Sequence, residues 1–180
     1  MKYTVAKLLE LLSRGEQFKY IFFWGHRPAR DGSITKSCFS QWWEEDFIVD
    51  EQVYKSAEHW MMAEKARLFN DFEILDLILR CESPAEAKKL GRKVRNFVPK
   101  IWDEHKFQIV VQGNLHKFGQ NPDLGEFLRA TGSRVLVEAS PYDKIWGIGM
   151  QAKDEGIEYP GNWKGQNLLG FALMEVRDQL

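Results

Sequence analysis

The sequence predicts an α+β fold: a single, mostly helical domain with a small β-sheet. Three observations carry this. Apolar residues recur at helical spacing along most of the chain, and several of these stretches open with a Ser or Pro start signal. Strand character is confined to four short runs. The 180 residues are 44% hydrophobic and 13% aromatic, enough apolar material for one core without disulfide staples.

The elements follow in order. Val5, Leu8, Leu9 and Leu12 share one side of a helix that ends at Gly15. Tyr20 to Trp24 is a short aromatic strand, and the polar stretch from His26 to Lys36 reads as a loop. Phe47-Ile48-Val49 and Gln52-Val53-Tyr54 flank Asp50-Glu51 as a hairpin. Ser56 is a suitable N-cap for a helix from Ala57 to about Asn70. A further helix spans Phe72 to Cys81, and Ser83-Pro84 opens another that ends near Gly91. Pro99 precedes a long helix to about Phe118, and Pro122 begins one that ends at Thr131-Gly132. Arg134 to Glu138 is a strand. A loop rich in glycine and charge runs from Asp154 to Gln166, and the chain closes with a helix to Leu180.

Composition narrows the functional classes. The net charge of -1 provides no global field toward nucleic acid or membrane. A local basic cluster, Lys88, Lys89, Arg92, Lys93, Arg95 and Lys100, reads first as a solvated helix face. Cys38 and Cys81 form no CxxC pair, and the charged N-terminus interrupts any signal-peptide apolar run. No stretch reaches the roughly 18 apolar residues of a membrane helix. A reduced, cytoplasmic setting without membrane contact is expected. His26, His105 and His116 lack metal-ligand spacing, so neither a metal nor another cofactor is expected.

The helix from Ala57 carries the chemistry. At about 100° per residue, Lys65 falls about 20° from Glu58, inside a stripe that also holds Met61, Met62, Phe69 and Phe72. A charged group facing an apolar interior is costly unless it is paired or lines a cleft. Two readings stay open: a buried Glu58–Lys65 ion pair, or a catalytic carboxylate with a nearby amine tuned by burial. The helix dipole favours ionised Glu58, and burial opposes it. His59, about 100° off this face, reads as a packed or surface residue.

The run from Leu136 to Gly149 is the second informative stretch. A strand-like lead-in ends in a turn carrying Asp143, Trp146 and the Gly147-Ile148-Gly149 pair. It reads as the wall of a pocket for a flat polar ligand, with Gly147 allowing close backbone approach. Trp146 and Trp102 are equally suited to core or to stacking on a planar base. Gly165-Gln166-Asn167 opens the last helix. Its N–H groups suit either a phosphate or ribose oxygen, or simple helix capping.

Taken together, these residues resemble the NADAR, or YbiA-like, family. The matching pieces are Phe39-Ser40-Gln41-Trp42, the run Tyr54 to Ala66, Leu90-Gly91-Arg92, Trp102-Asp103, Gly113-Asn114 with Lys117-Phe118, Thr131-Gly132, Glu138 to Gly149, and Trp163 to Gly170 with Leu173 to Arg177. The resemblance runs from about Tyr20 to Leu180, which sets residues 1–19 apart as an N-terminal helical extension to a domain over 20–180. It implies a YbiA-like α+β fold and N-glycosidase chemistry. The implied substrates are riboflavin-pathway ribosylaminopyrimidine phosphates, with ADP-ribose on guanine in nucleic acid as the alternative. The family's catalytic positions map onto Glu58, Trp102 and Asp143, with Lys65 as a further candidate.

The resulting expectation is hydrolysis of a C–N bond at a ribose phosphate. Glu58 would stabilise developing positive charge or activate water, Asp143 would hold the ribose hydroxyls, and Trp102 would stack on the base. Trp146 would add a second wall, and Arg92 or Lys65 would meet the phosphate. Lys65 could instead attack the sugar carbon and form a Schiff base. The competing class is a module that binds ADP-ribose or a nucleotide without cleaving it.

Overall fold

The computed structural model describes residues 1–180, which form two compact units. One comprises residues 1–40 and 126–180; the other comprises residues 41–125.

In the first unit, α1 (Val5–Ser13) is capped by Thr4, whose hydroxyl accepts from the Lys7 N–H. Strand β1 (Tyr20–Phe23) follows, and then a 3-10 turn over Lys36–Phe39, which begins at the last residue of the segment expected to be loop. Thr35 caps that turn: its Oγ accepts from the Ser37 N–H and bonds the Ser37 hydroxyl at 2.8 Å.

The second unit begins with a hairpin. Strand β2 (Glu44–Val49) pairs antiparallel with β3 (Gln52–Ser56), in the register Phe47↔Tyr54 and Val49↔Gln52. Asp50 and Glu51 both take positive φ, 48° and 64°, so the two-residue turn matches the twist of its strands. Next come α2 (Ala57–Leu68), α3 (Phe72–Arg80), α4 (Pro84–Gly91) and α5 (Pro99–Gln120). Side chains of Ser56, Asp71 and Ser83 cap α2, α3 and α4, while α5 starts on Pro99 with no side-chain cap.

Helix α2 is the centre of this second unit. It meets α3, α4, α5 and β3, and it is buried on nearly every side. Such a helix needs no polar face. Small residues let its neighbours close in. A Cβ on Gly91 would stand 2.0 Å from Met62 Sδ, and one on Gly113 would stand 2.3 Å from Trp60 Cδ1. The Trp60 indole N–H donates to the Ile109 carbonyl at 2.9 Å, which holds α5 against α2.

Helix α6 (Pro122–Arg129) returns the chain to the first unit, where β4 (Val135–Glu138) and α7 (Leu168–Arg177) complete it. β4 pairs with β1 in parallel, Tyr20↔Val135 through Phe23↔Glu138. The expected small sheet is therefore two separate two-stranded ladders. β4 shows continuous burial at Val135, Leu136 and Val137, as a strand covered on both faces should. One cover is α7, whose Leu168, Leu169, Phe171, Ala172 and Leu173 are all buried. Helix α1 and the residues before it pack within the same unit: α1 meets the turn at Pro160–Asn162, and the Lys2 ammonium pairs with Asp178 at 2.6 Å. No helix is long and apolar enough to cross a membrane.

Candidate active site

In the second unit, the chemistry gathers around α2. Ser56 does two things there. Its Oγ accepts from the His59 N–H and lies 2.8 Å from His59 Nδ1. The helix start is fixed by this pair, and Glu58 sits in its first turn, 2% exposed. The Glu58 N–H donates to the Gln41 carbonyl at 2.9 Å. The Gln41 side chain is held in turn, because the Asn114 amide donates to its Oε1 at 2.7 Å and also to the Val110 carbonyl at 2.8 Å. Gln41 and Asn114 thus anchor the backbone on which Glu58 stands. Neither had been given a role on sequence grounds; their presence among the family-like motifs was the only signal.

Lys65 lies two turns along α2, half-buried. Its Nζ donates to the Gly91 carbonyl at 2.9 Å, 4.2 Å from the Phe97 ring centre and 5.6 Å from that of Trp102. The ion pair with Glu58 that the shared helix face allowed does not form. Seven residues of helix separate the two by about 10 Å of rise, so a shared face does not bring their charged ends together. Burial holds the Lys65 pKa below its ordinary value. Trp102 is half-buried in the first turn of α5, where its N–H donates to the Val98 carbonyl at 3.1 Å. Phe97, which covers Lys65 most closely, had no sequence signal beyond being an aromatic just before Pro99.

His59 is buried rather than on the surface. Burial pushes its pKa down, opposed by the Cys81 backbone and by Glu44 and Glu82, with Lys55 adding to the downward push. Arg92 caps α4 and is exposed, directly after the glycine that receives Lys65.

In the first unit, Asp143 organises the turn after β4. Its Oδ1 accepts from the N–H groups of Ile145 and Trp146, both at 2.8 Å. The Ser140 hydroxyl accepts from the N–H groups of Tyr142 and Asp143. Asp143 and Trp146 are both half-buried. Gly147 is buried, and a Cβ there would stand 2.9 Å from the Glu138 carbonyl and 3.0 Å from that of Asp143. The backbone that approaches Gly147 closely is the protein's own.

Asn167 is also occupied. It takes a left-handed conformation, φ 55°, and its side chain works as a surrogate strand. Its Oδ1 accepts from the Glu138 N–H at 3.0 Å, and its Nδ2 donates to the Leu136 carbonyl at 2.9 Å. Of the two uses open to the start of α7, the structure takes capping. The N–H groups of Asn167, Leu168 and Leu169 donate to the carbonyls of Gly147, Ile145 and Trp146. Neighbouring Gly170 has no room for a Cβ, which would meet the Leu136 carbonyl at 2.1 Å.

The structure therefore brings Lys65 and Trp102 together on one unit, with Glu58 on the same helix as Lys65. On the other it brings together Asp143, Trp146, Gly147 and Asn167. No cluster of three His, Cys, Asp or Glu side chains is placed to hold a metal ion.

These features define an α+β protein with a buried acid and a half-buried amine on one helix. The match to the NADAR domain covers residues 22–180, and the chain belongs to that family. It is 46% identical over 170 residues to N-glycosidase R617 of Acanthamoeba polyphaga mimivirus, covering 91% of this chain and 98% of that protein. It is 34% identical over 144 residues to N-glycosidase YbiA of Escherichia coli (strain K12), covering 80% and 79%. The solved NMR structure of E. coli YbiA superposes with a TM-score of 0.72 at 30% identity, over 91% of this chain and 86% of that one.

Proposed function

We propose that this chain is an N-glycosidase, a hydrolase that cleaves the C–N bond between a ribose phosphate and a base, with riboflavin-pathway ribosylaminopyrimidine phosphates as its substrates. The single observation that carries the reading is the presence, on one helix, of buried Glu58 and of Lys65 held under Phe97 and Trp102. Two curated relatives named N-glycosidase support the same class.

The chemistry follows from the groups. As the bond to the base lengthens, positive charge develops on the sugar carbon and ring oxygen. A carboxylate held in place stabilises that charge, which is the role assigned to Glu58. Water then adds its oxygen to the sugar carbon, and its proton leaves with the base nitrogen. Asp143 keeps Oδ2 available to accept from ribose hydroxyls, because only Oδ1 is engaged by the turn. Trp102 offers an indole face to the base, Trp146 offers one beside the Asp143 turn, and Arg92 offers a cation to the phosphate. Gly147 and Asn167 act by shaping the Asp143 turn.

Lys65 supports a covalent variant. Its lowered pKa raises the fraction of neutral amine, which can attack the sugar carbon, expel the base and pass to an imine with the opened ribose. Water then hydrolyses the imine. Borohydride trapping distinguishes the routes: a reduced adduct on Lys65 supports the covalent one, and its absence during turnover excludes it.

One observation favours a second substrate. Arg92, Lys93 and Lys100 are exposed close in sequence to Trp102, with no carboxylate between residues 87 and 102. That stretch suits a polyphosphate backbone, as in ADP-ribosylated guanine in nucleic acid. The deciding experiment measures release of free base and ribose 5-phosphate from a ribosylaminopyrimidine phosphate, with wild type and Glu58→Gln. Turnover lost in the variant supports the reading. No turnover by wild type, on this substrate or on ADP-ribosylated guanine, leaves a module that binds nucleotides without cleaving them.

A further inference from the structure

We propose that Trp24 and Tyr142 form a stacking platform for the planar heterocycle of a phosphate-bearing ligand. The platform rests on the reading that the substrate is a ribosylated base, and within it on the ADP-ribosylated guanine alternative, whose adenine is a second ring beside the base that is released.

The first observation is exposure. Trp24 is 56% exposed and Tyr142 is 86% exposed, in a chain that buries most of its other large aromatics at least in part. One exposed ring needs no explanation. Two rings from separate loops, held against each other in water, do. Their centres lie 6.1 Å apart with planes tilted by 53°. That angle leaves a face of each ring open, so a flat heterocycle can stack on one and meet the edge of the other.

The second observation is preorganisation. The Tyr142 N–H donates to the Ser140 hydroxyl, and the next residue, Asp143, holds the turn through Ile145 and Trp146. Trp24 directly follows β1, whose last residue, Phe23, is paired with Glu138. Both rings therefore stand on backbone that is already fixed, which lowers the entropy cost of binding.

The third observation is charge. The loop after Trp24 carries Arg27, Arg30 and Lys36 against the single carboxylate of Asp31. Lys144 follows Tyr142 by two residues, past the Asp143 carboxylate, and its stem and that of Lys164 approach each other at Gly149, each with a carbon 3.1 Å from where a Cβ would stand. In a chain of net charge -1, the segments that follow both rings thus carry an excess of cations. Exposed rings on segments rich in cations fit a heterocycle joined to phosphate.

The test compares two probes, AMP and ribose 5-phosphate, which share the sugar phosphate and differ in the ring. Affinities are measured by calorimetry on wild type, Trp24→Ala, Tyr142→Ala, the double variant and Trp24→Phe. The platform requires wild type to prefer AMP. Each alanine variant should lose about tenfold in AMP affinity and none for ribose 5-phosphate, with Trp24→Phe close to wild type. Equal affinity for the two probes in wild type overturns the proposal. So does an equal loss for both probes, or no loss for either. A shift in sedimentation with unchanged AMP affinity also overturns it, in favour of a contact between copies of the chain. The two readings fail separately: a missing platform leaves base release intact, and a missing glycosidase activity leaves ring-dependent binding intact.

Discussion

Asp71 and Lys65 are neighbours in the same unit, and they show two opposite ways of holding a charge. The Asp71 carboxylate is fully shielded, and its needs are met from within the protein. Arg95 supplies its backbone N–H at 2.8 Å, its Nε at 3.0 Å and its Nη2 at 2.5 Å, and the Ile74 N–H adds a cap bond. Lys65 receives one carbonyl and two ring faces, and no carboxylate. A charge whose counter-charge is built in serves the fold. A charge left among rings and a carbonyl is poised to meet a group the protein does not itself supply. By that criterion the Asp71–Arg95 clamp is architecture, and the Lys65 nest is the place to look for chemistry.

The comparison can be broken most sharply at Glu58. Replacing it by Gln keeps the shape and removes the charge, and should lower kcat by about 100-fold or more while the far-ultraviolet spectrum and Tm stay close to wild type. A Glu58→Gln enzyme with near-normal kcat would remove the acid from the mechanism. Lys65→Met comes next. The thioether chain should still fit beneath Phe97, so stability holds or rises while turnover falls by at least tenfold. In wild type, a covalent role for Lys65 requires kcat to climb with pH as the ammonium loses its proton, and a pH–rate profile flat on the alkaline side would favour the water route.

Asp71→Asn should do the reverse of Lys65→Met, lowering Tm by several degrees with kcat unchanged in the folded fraction. The pH dependence gives a second handle. Arg95 holds the Asp71 pKa far below its ordinary value. Its contribution is therefore complete above the unfolded carboxylate pKa of about 3.9 and is lost as pH falls below that. Denaturant titrations from pH 5 to pH 2 should show a steeper loss in wild type than in Asp71→Asn.

The smallest expected effect is at His59. Burial lowers its pKa, so the folded state prefers the neutral ring. The stability tied to that preference is present above about pH 6.5 and declines as pH falls through and below it. His59→Asn should flatten the stability profile between pH 7 and pH 5. An unchanged slope would mean that the ring takes up its proton in place.

Much of the local structure was legible. Ser56, Ser83-Pro84, Pro99 and Pro122 mark helix starts through groups within a few residues of one another, and the observed helices begin beside them. The Asp50-Glu51 turn was readable for the same reason. The 3-10 turn at Lys36–Phe39 was not, because its one-turn length leaves no periodicity to detect. At the candidate site, Glu58 stood out through its place in an apolar stripe. The Glu58–Lys65 ion pair did not form because angular position on a helix says nothing about axial distance. Asn167 offered a helix start in sequence, and only the fold turned its amide toward Leu136 and Glu138.

The sequence by itself determined the helical α+β class, the hairpin, the helix starts and the family, because those rest on short-range periodicity, caps and motif order. Tertiary structure alone decided that β1 pairs in parallel with β4, that Phe97 and Trp102 close over Lys65, and that Trp24 meets Tyr142 in water. Each of these joins residues far apart along the chain. Burial, pKa and stacking are properties of the surroundings that such contacts create, and no local pattern of residue types encodes them.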